Sequence, residues 1–498
     1  MPGVLFTEAA PTAGVSPNRA DVACFIGFVQ RRSTAVPPSV KEALVAGGWH
    51  PAGEVRDDHP LQHKPVLVEN FETFDHLFKW EDRGGSGHST WLGAAVRSFF
   101  AQGGARCYVV RADDPPALNE SPSASLRDSL LGLLLPKTSK ASHDQQGWKG
   151  LEVLLGLDEV AFVCLPDLPE IMRDAAVATP LLPEPPAAPE EFVECSATAA
   201  TTDKAAKPPS ESPACLKAGY EEWCKAAHTA TAFVLENRRD VELILAVPIP
   251  AEGSLPQGNP LHLNRVSDNP AVSSAFLQLV YPWLATEDSS ALPGGLEPPD
   301  GAFAGVAART IIALGAHRSL ARQPLQRIAR FYPTLPERDY QLLAPRDENP
   351  ALIHRVSLLG QTPNGPAVLS DVTTSLHPSH RPAGVGRLTA AILRTAQRLG
   401  EEVVFDVSGP DLWRKIEGRL TNLLSQFHRA GALLGPSAEE AFSVRCDDTT
   451  MTQNDRDHGR VKAIVEFAPA HPVGVITVTL SLRTGAALAA AALEGSNV

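Results

Sequence analysis

Four short, almost wholly apolar runs govern what this chain can become. They are VACFIGFV (22–29), ARCYVVRA (105–112), LDEVAFVCLPD (157–167) and VELILAV (241–247). Each has the length and flanks of a strand buried on both faces. Segments with helical spacing lie between them. TWLGAAVRSFFAQGG (90–104) sets Leu92, Val96, Phe99 and Phe100 on one side, with Gly103 as its stop, and YEEWCKAAH (220–228) also reads as helix. Apolar strands spaced by helices imply an α/β layer.

The last quarter of the chain has a different texture. RLTAAILRTAQRLG (387–400) is an amphipathic helix that Gly400 is expected to close, and EEVVFDV (401–407) reads as a strand. GPDLWRKIEGRLTNLLSQFHRAG (409–431) places Trp413, Ile416, Leu420, Leu423, Leu424 and Phe427 on one stripe, with Pro410 in the first turn and Gly431 past the end. RVKAIVEFAP (460–469) is a strand. In VITVTLSL (475–482), Ile476, Val478, Leu480 and Leu482 alternate with Thr477, Thr479 and Ser481, as in a half-buried antiparallel strand. An Ala-rich tail follows. The expected fold class is mixed α/β, or α+β, in several domains.

A length of 498 residues suits two to four domains, and a 43% hydrophobic content can bury a sizeable core. Residues 178–214 are rich in Pro, Ala, Glu, Ser and Thr, and are expected to form a mobile surface insertion without a packed core. The formal charge of −13 argues against a nucleic-acid partner, which requires clustered cations. Seven cysteines, several inside apolar runs and none in a CxxC pair, point to free thiols in a reducing compartment. The opening MPGVLFTEAAP has neither the basic stretch nor the apolar segment of a secretory signal. No apolar run approaches the ~20 residues that span a bilayer, so direct membrane insertion is not expected.

Two segments carry the residue types of a chemical site without its full pattern. GGSGHST (84–90) is glycine-rich, but His88 stands where a phosphate-binding loop needs lysine, so Ser86 and His88 read as parts of a plain loop. CDDTTMTQNDRDHG (446–459) clusters oxygen ligands without the register of a calcium loop, and Asp447, Asp448, Asn454 and Asp455 read as turn caps. His317, His354, His377 and His380 have no metal-ligand spacing, and no GxSxG elbow is present. Neither a catalytic residue nor a cofactor or metal is expected.

Taken in order, several segments resemble the contractile tail sheath family of phages and contractile injection systems. PGVLFTEAA (2–10) is similar to the family's N-terminal arm, and ADVACFIGFVQR (20–31) to its first strand. PVLVENFETFDHLF (65–78) resembles a segment that ends in glycine in the family, where this chain has Lys79. TWLGAAVRSFFAQGGARCYVVRA (90–112) is similar to "yLxxAVxxFFxNGGxxcYVvRv". YPWL (281–284) and PPDGAFAGVAART (298–310) resemble "PPSGxVAGvyArtD", with Ile311 in place of its Asp. VVFDVSGPDLW (403–413) and LLSQFHRAGALLGPSAEEAFSVRCDDTTMTQNDRDHGRV (423–461) resemble the family's C-terminal block. HRVSLLGQTPNGPAVLSDVTTS (354–375) departs from it.

The resemblance implies an N-terminal arm over 1–20 and an N-terminal and middle α/β region over 21–335. It further implies a C-terminal core over 336–472 and a strand arm and tail over 473–498. The chain is then a structural subunit that polymerises helically around an inner tube and contracts to drive it through a target envelope. Val4, Leu5 and Phe6 in one arm and Ile476, Val478 and Leu480 in the other are expected to add strands to neighbouring subunits. The implied partners are other copies of the chain, the tube protein, baseplate and terminal cap proteins, and sheath paralogues. Assembly is expected in a bacterial cytoplasm, within a phage tail-like particle that can be released. The alternatives are a non-contracting cap or adaptor on the same fold, and an α/β enzyme.

Overall fold

The computed structural model describes residues 19–51, 55–116, 122–138, 144–174, 213–250, 273–335, 352–403, 409–470, 476–483 and 486–495. Two packed bodies emerge. The first is built on an eight-stranded sheet of β1 (Val22–Gly27), β2 (Val66–Val68), β3 (Cys107–Arg111), β4 (Val160–Cys164), β5 (Glu242–Ala246), β6 (Leu277–Tyr281), β7 (Ser357–Thr362) and β8 (Gly365–Val368). Their spatial order is β8-β7-β6-β5-β4-β1-β3-β2. The six inner strands run parallel, while β2 and β8 are antiparallel edges. Every residue of β1, β4, β5 and β6 is buried. The apolar runs follow from this, because helices and loops cover both faces of a parallel sheet.

Helices α1 (Trp91–Ala101), α2 (Lys217–Asn237) and α3 (Asp300–Leu314) belong to this body. Thr90 caps α1 by accepting from the Gly93 N–H. Helices α1 and α3 touch backbone to backbone. A β-carbon on Gly301 would lie 2.3 Å from the Ala95 carbonyl oxygen, and one on Gly305 would lie 2.4 Å from that of Phe99. The glycines of PPDGAFAG are therefore spacers for the WLGAAVRSFF helix, and two of the most distinctive sequence segments form one joint.

The second body is a four-stranded antiparallel sheet, β9 (Phe442–Arg445), β10 (Arg460–Phe467), β11 (Ile476–Arg483) and β12 (Ala486–Gly495), in that order, packed on α4 (Ala383–Glu402) and α5 (Pro410–Arg429). Strand β10 alternates half-buried and buried residues along its whole length. The helix face buries Leu412, Ile416, Leu420, Leu423 and Leu424. Trp413, expected in that stripe, sits at its margin, because Leu412 holds the position four residues before Ile416.

Three further expectations need correction. Helix α4 does not stop at Gly400 but runs to Glu402 with Val403 as its cap, so Glu401 and Glu402 are helical and not strand. The cost of an interior glycine, about 1 kcal/mol, is offset by burying Leu399 and Val403 in the second core. The C-terminal core does not begin at 336. Strand β7 pairs with β6 through Val280 and Ser357, so 357–368 belong to the large sheet, and the two cores part between Val368 and Val385. The Ala-rich tail, read only as a tail, is strand β12 over 486–495. Residues 404–408, Val4, Leu5, Phe6 and residues 178–212 of the expected insertion lie outside the described residues. None of the described helices is long and apolar enough to cross a membrane.

Candidate assembly interface

The terminal sheet is where sequence placed one arm. Ile476, Val478 and Leu480 point into the core of their own chain and are 0%, 0% and 1% exposed. Strand β11 pairs with β10 through all eight of its residues and with β12 on the other side. Within a single chain it is an interior strand, so these three residues are core and not a free contact surface. Among the described residues, β9 pairs only with β10 and β12 only with β11. Glu439, Glu440 and Asp448, which flank β9 in the chain, are exposed, and Leu434 is 61% exposed. An unpaired edge of this kind is a template for another strand.

A buried polar seam joins the two bodies. Arg387 on α4 grips Asp371 with contacts of 2.6 and 3.1 Å, and it donates to the carbonyls of Ala316 and Arg318. Asp371 also accepts from the Leu320 N–H and from the Gln278 amide. Burial alone would raise the Asp371 carboxyl, but Arg387 and these donors hold it below its ordinary range. Two turns along α4, Arg394 donates to the Asp240 carbonyl, and Asp240 in turn pairs with Arg238 at 2.8 and 2.9 Å. Glu242 at the same seam lies 4.0 Å from Arg387, and among the described residues neither of its oxygens is hydrogen-bonded. Burial pushes its carboxyl up to about 8. One helix thus serves two cores, with its apolar face in the second and its arginines in the first.

The chemistry candidates resolve as structural parts. In the 84–90 loop, Gly84, Gly85 and Gly87 have positive φ. The Gly85 and Gly87 N–H groups donate to the Asp82 carboxylate at 3.0 and 3.3 Å, so a side chain of the loop already occupies the anion seat. Asp82 in turn pairs with Lys79 at 2.7 Å. Ser86 accepts from the His88 N–H. Asp447 accepts from the Thr449 and Thr450 N–H groups and closes a turn. Asp455 forms a capping box with Thr452 and pairs with Lys462 and Arg460. The Lys462 hydrogen bond leads in holding its carboxyl below the usual carboxylate range. His377 and His380 stack with ring centroids 5.3 Å apart. Among the described residues, no group of three or more His, Cys, Asp or Glu side chains is placed to hold a metal ion.

Sequence reasoning missed a cluster at the carboxyl ends of the parallel strands, where open α/β sheets usually bind ligands. Asp167 accepts from the Phe28 N–H at 2.9 Å, Glu170 bridges Arg83 and the Trp91 indole N–H, and Glu297 accepts from Ser98 at 2.6 Å. Asp300 starts α3 beneath them. Burial pushes Asp167, Asp300 and Glu297 up to about 7 each. A β-carbon on Gly27 would meet the Asp167 carboxylate at 2.1 Å, so protein already fills this end of the sheet. The available signal was position: Asp167 directly follows an apolar strand, and Asp300 precedes the GAFAG run.

No protein-family profile matches the sequence, and no curated protein matches it. Solved structures do match the fold. A chain of the anti-feeding prophage baseplate is 17% identical with a TM-score of 0.57, covering 95% of this chain and 96% of that one. A chain of the contracted helical sheath of the same prophage is 18% identical with a TM-score of 0.54 and the same coverage. The contracted sheath complex of PVC, an extracellular contractile injection system, contributes a chain at 15% identity and a TM-score of 0.51, covering 95% and 94%. The fold of this chain, across both bodies, is that of subunits in contractile sheath and baseplate assemblies.

Proposed function

We propose that the chain is a structural subunit of a contractile sheath, one that polymerises helically with copies of itself around an inner tube and shortens to drive that tube. The observation carrying this reading is the whole-length likeness to sheath chains, 95% of this chain and 96% of the neighbour, in both bodies and in order. The terminal sheet adds physical support. Its bare β9 edge can accept a strand from another chain, and five or six ladder hydrogen bonds contribute very roughly 3–9 kcal/mol. A contact of this type is heterologous and builds an open helix. The stroke then needs only two packings of one folded subunit, without a catalytic residue or a cofactor. The N-terminal arm with Val4, Leu5 and Phe6 is the segment we assign to a neighbouring sheet. Tube, baseplate and cap proteins are the further partners of this reading, and the bacterial cytoplasm is its place of assembly.

Electron microscopy of the purified chain tests it. Rods or stacked rings are expected, and a variant lacking residues 1–15 should stay folded yet form neither. A chain that remains monomeric at every concentration overturns the reading. The same images separate the second reading, a terminal or baseplate-proximal ring. Likeness to a chain from a baseplate structure favours that reading, and it would appear as single rings that never extend.

A further inference from the structure

Residues 301–336 contain five arginines and no Asp or Glu, in a chain whose formal charge is −13. Four of the five, Arg318, Arg322, Arg327 and Arg330, are exposed. None of the four has a carboxylate partner among the described residues. Most arginines elsewhere on the surface do: Arg32 meets Asp75 and Glu81, Arg56 meets Asp58, Arg106 meets Glu69 and Glu159, and Arg414 meets Asp411. Unneutralised positive charge is therefore concentrated in one stretch.

That stretch is held in place. It runs along the outer edge of β8, where the Arg322 N–H donates to Val368, the Leu325 N–H to Pro366, and the Val368 N–H to Gln323. It continues into a short ribbon in which Ile328–Tyr332 pairs with Trp283–Thr286. Gln102 clamps its middle through both the N–H and the carbonyl of Gln326. Arg322 and Arg327 have φ of 69° and 56°, a left-handed conformation that is strained for a residue with a side chain and that glycine would adopt freely. The backbone is fixed while the four guanidinium groups remain uncompensated.

The chain also carries the opposite charge on its other body. Glu439, Glu440 and Asp448, which flank β9 in the chain, are exposed, and among the described residues none of them has a cationic partner, while the one cation on β9, Arg445, lies 3.9 Å from Glu466. We infer that the arginine strip over 318–330 is a docking surface for the exposed carboxylates that flank β9, Glu439, Glu440 and Asp448, on a second copy of this chain. Strip and carboxylates lie on different bodies, so the contact is head to tail and repeats indefinitely. It rests on the reading of the chain as a self-assembling subunit and supplies that reading with a polar contact distinct from strand addition. Opposed exposed charges of this kind set register and association rate, and they weaken as salt rises.

The test is a charge swap in the full chain, followed by sedimentation and electron microscopy at about 50 and about 500 mM salt. Replacing Arg318, Arg322, Arg327 and Arg330 with Glu should raise the concentration needed for assembly by about tenfold or more at low salt. Glu439→Lys, Glu440→Lys and Asp448→Lys together should do the same, and mixing the two variants should restore assembly. If the fourfold reversal does not fold, as judged by circular dichroism, Arg→Gln at the four positions should give a smaller loss of the same sign. Rods that form equally well in all variants overturn this contact and leave the subunit reading intact. A wild-type chain that never self-associates removes both. If the strip instead retains a DNA or RNA fragment in a gel shift and its reversal leaves assembly unchanged, the occupant is a nucleic acid and the inference fails.

Discussion

The large sheet is buried on both faces, and its β8 edge is closed by residues 322–325. The terminal sheet packs one face on α4 and α5 and leaves β9 with one side unpaired. The β8 edge offers a neighbour only side chains, because its backbone groups are already satisfied. The β9 edge offers backbone. The contrast fits the proposed strand addition at β9 and the proposed side-chain docking beside β8, although both bodies share a single connecting helix.

The largest effect should come from the seam where the two meet. Arg387→Ala leaves Asp371 buried and unpaired, which costs about 3–5 kcal/mol. Calorimetry should show one melting transition replaced by two, since Arg387 sits on the helix of the second core. A single transition near the wild-type temperature would show that the bodies are coupled by other contacts.

Gly301→Ala tests the first body alone. Its new methyl group would meet the Ala95 carbonyl, and parting α1 from α3 should cost about 1–3 kcal/mol. Denaturant unfolding should show the loss in the first body, with hydrogen exchange in β10 and β11 unchanged. Equal loosening of both sheets would erase the distinction between the bodies.

Glu242→Gln should act in the opposite direction. The folded chain holds a proton on Glu242 up to about pH 8, whereas the unfolded chain releases it near the ordinary glutamate value. The unfolded state therefore binds fewer protons in this window, and stability falls as pH rises through it, by at most about 1.4 kcal/mol per unit. The variant lacks this slope, so its advantage over wild type should grow from pH 5 to pH 8. Parallel stability profiles for the two proteins would refute the assignment. Asp167, Asp300 and Glu297 bend both profiles alike and cancel in the difference.

Least affected should be the glycine loop. Ser86→Ala and His88→Ala should each change stability by no more than about 0.5 kcal/mol, because Asp82 and not these side chains organises the turn. A larger loss of assembly with unchanged stability would make the loop a contact site.

The same contrast explains what could be read in the sequence. Strands β1, β4 and β5 and helix α1 were legible because burial on both faces demands unbroken apolar runs, and β11 because burial on one face demands alternation. Strand β12 was not, since AALAAAALEG carries little β-propensity and owes its state to pairing with β11. Nor was the end of α4, where Gly400 lies inside a helix held by tertiary contacts. The placement of β7 and β8 depended on long-range pairing to β6, which no local pattern records. At the candidate interface, alternation correctly marked Ile476, Val478 and Leu480 as one face. Which chain would own that face is a question of topology, and the period of two is silent on it.

The backbone contact between α1 and α3 has a mechanical meaning. Side chains at a helix crossing act as bumpers that can change rotamer and absorb displacement. At Gly301 and Gly305 there are none, so any relative sliding of the two helices must drag main chain over main chain. A load entering through α4 and its arginines would then arrive at a block with little give, and travel through the large sheet as displacement instead of being lost as internal deformation.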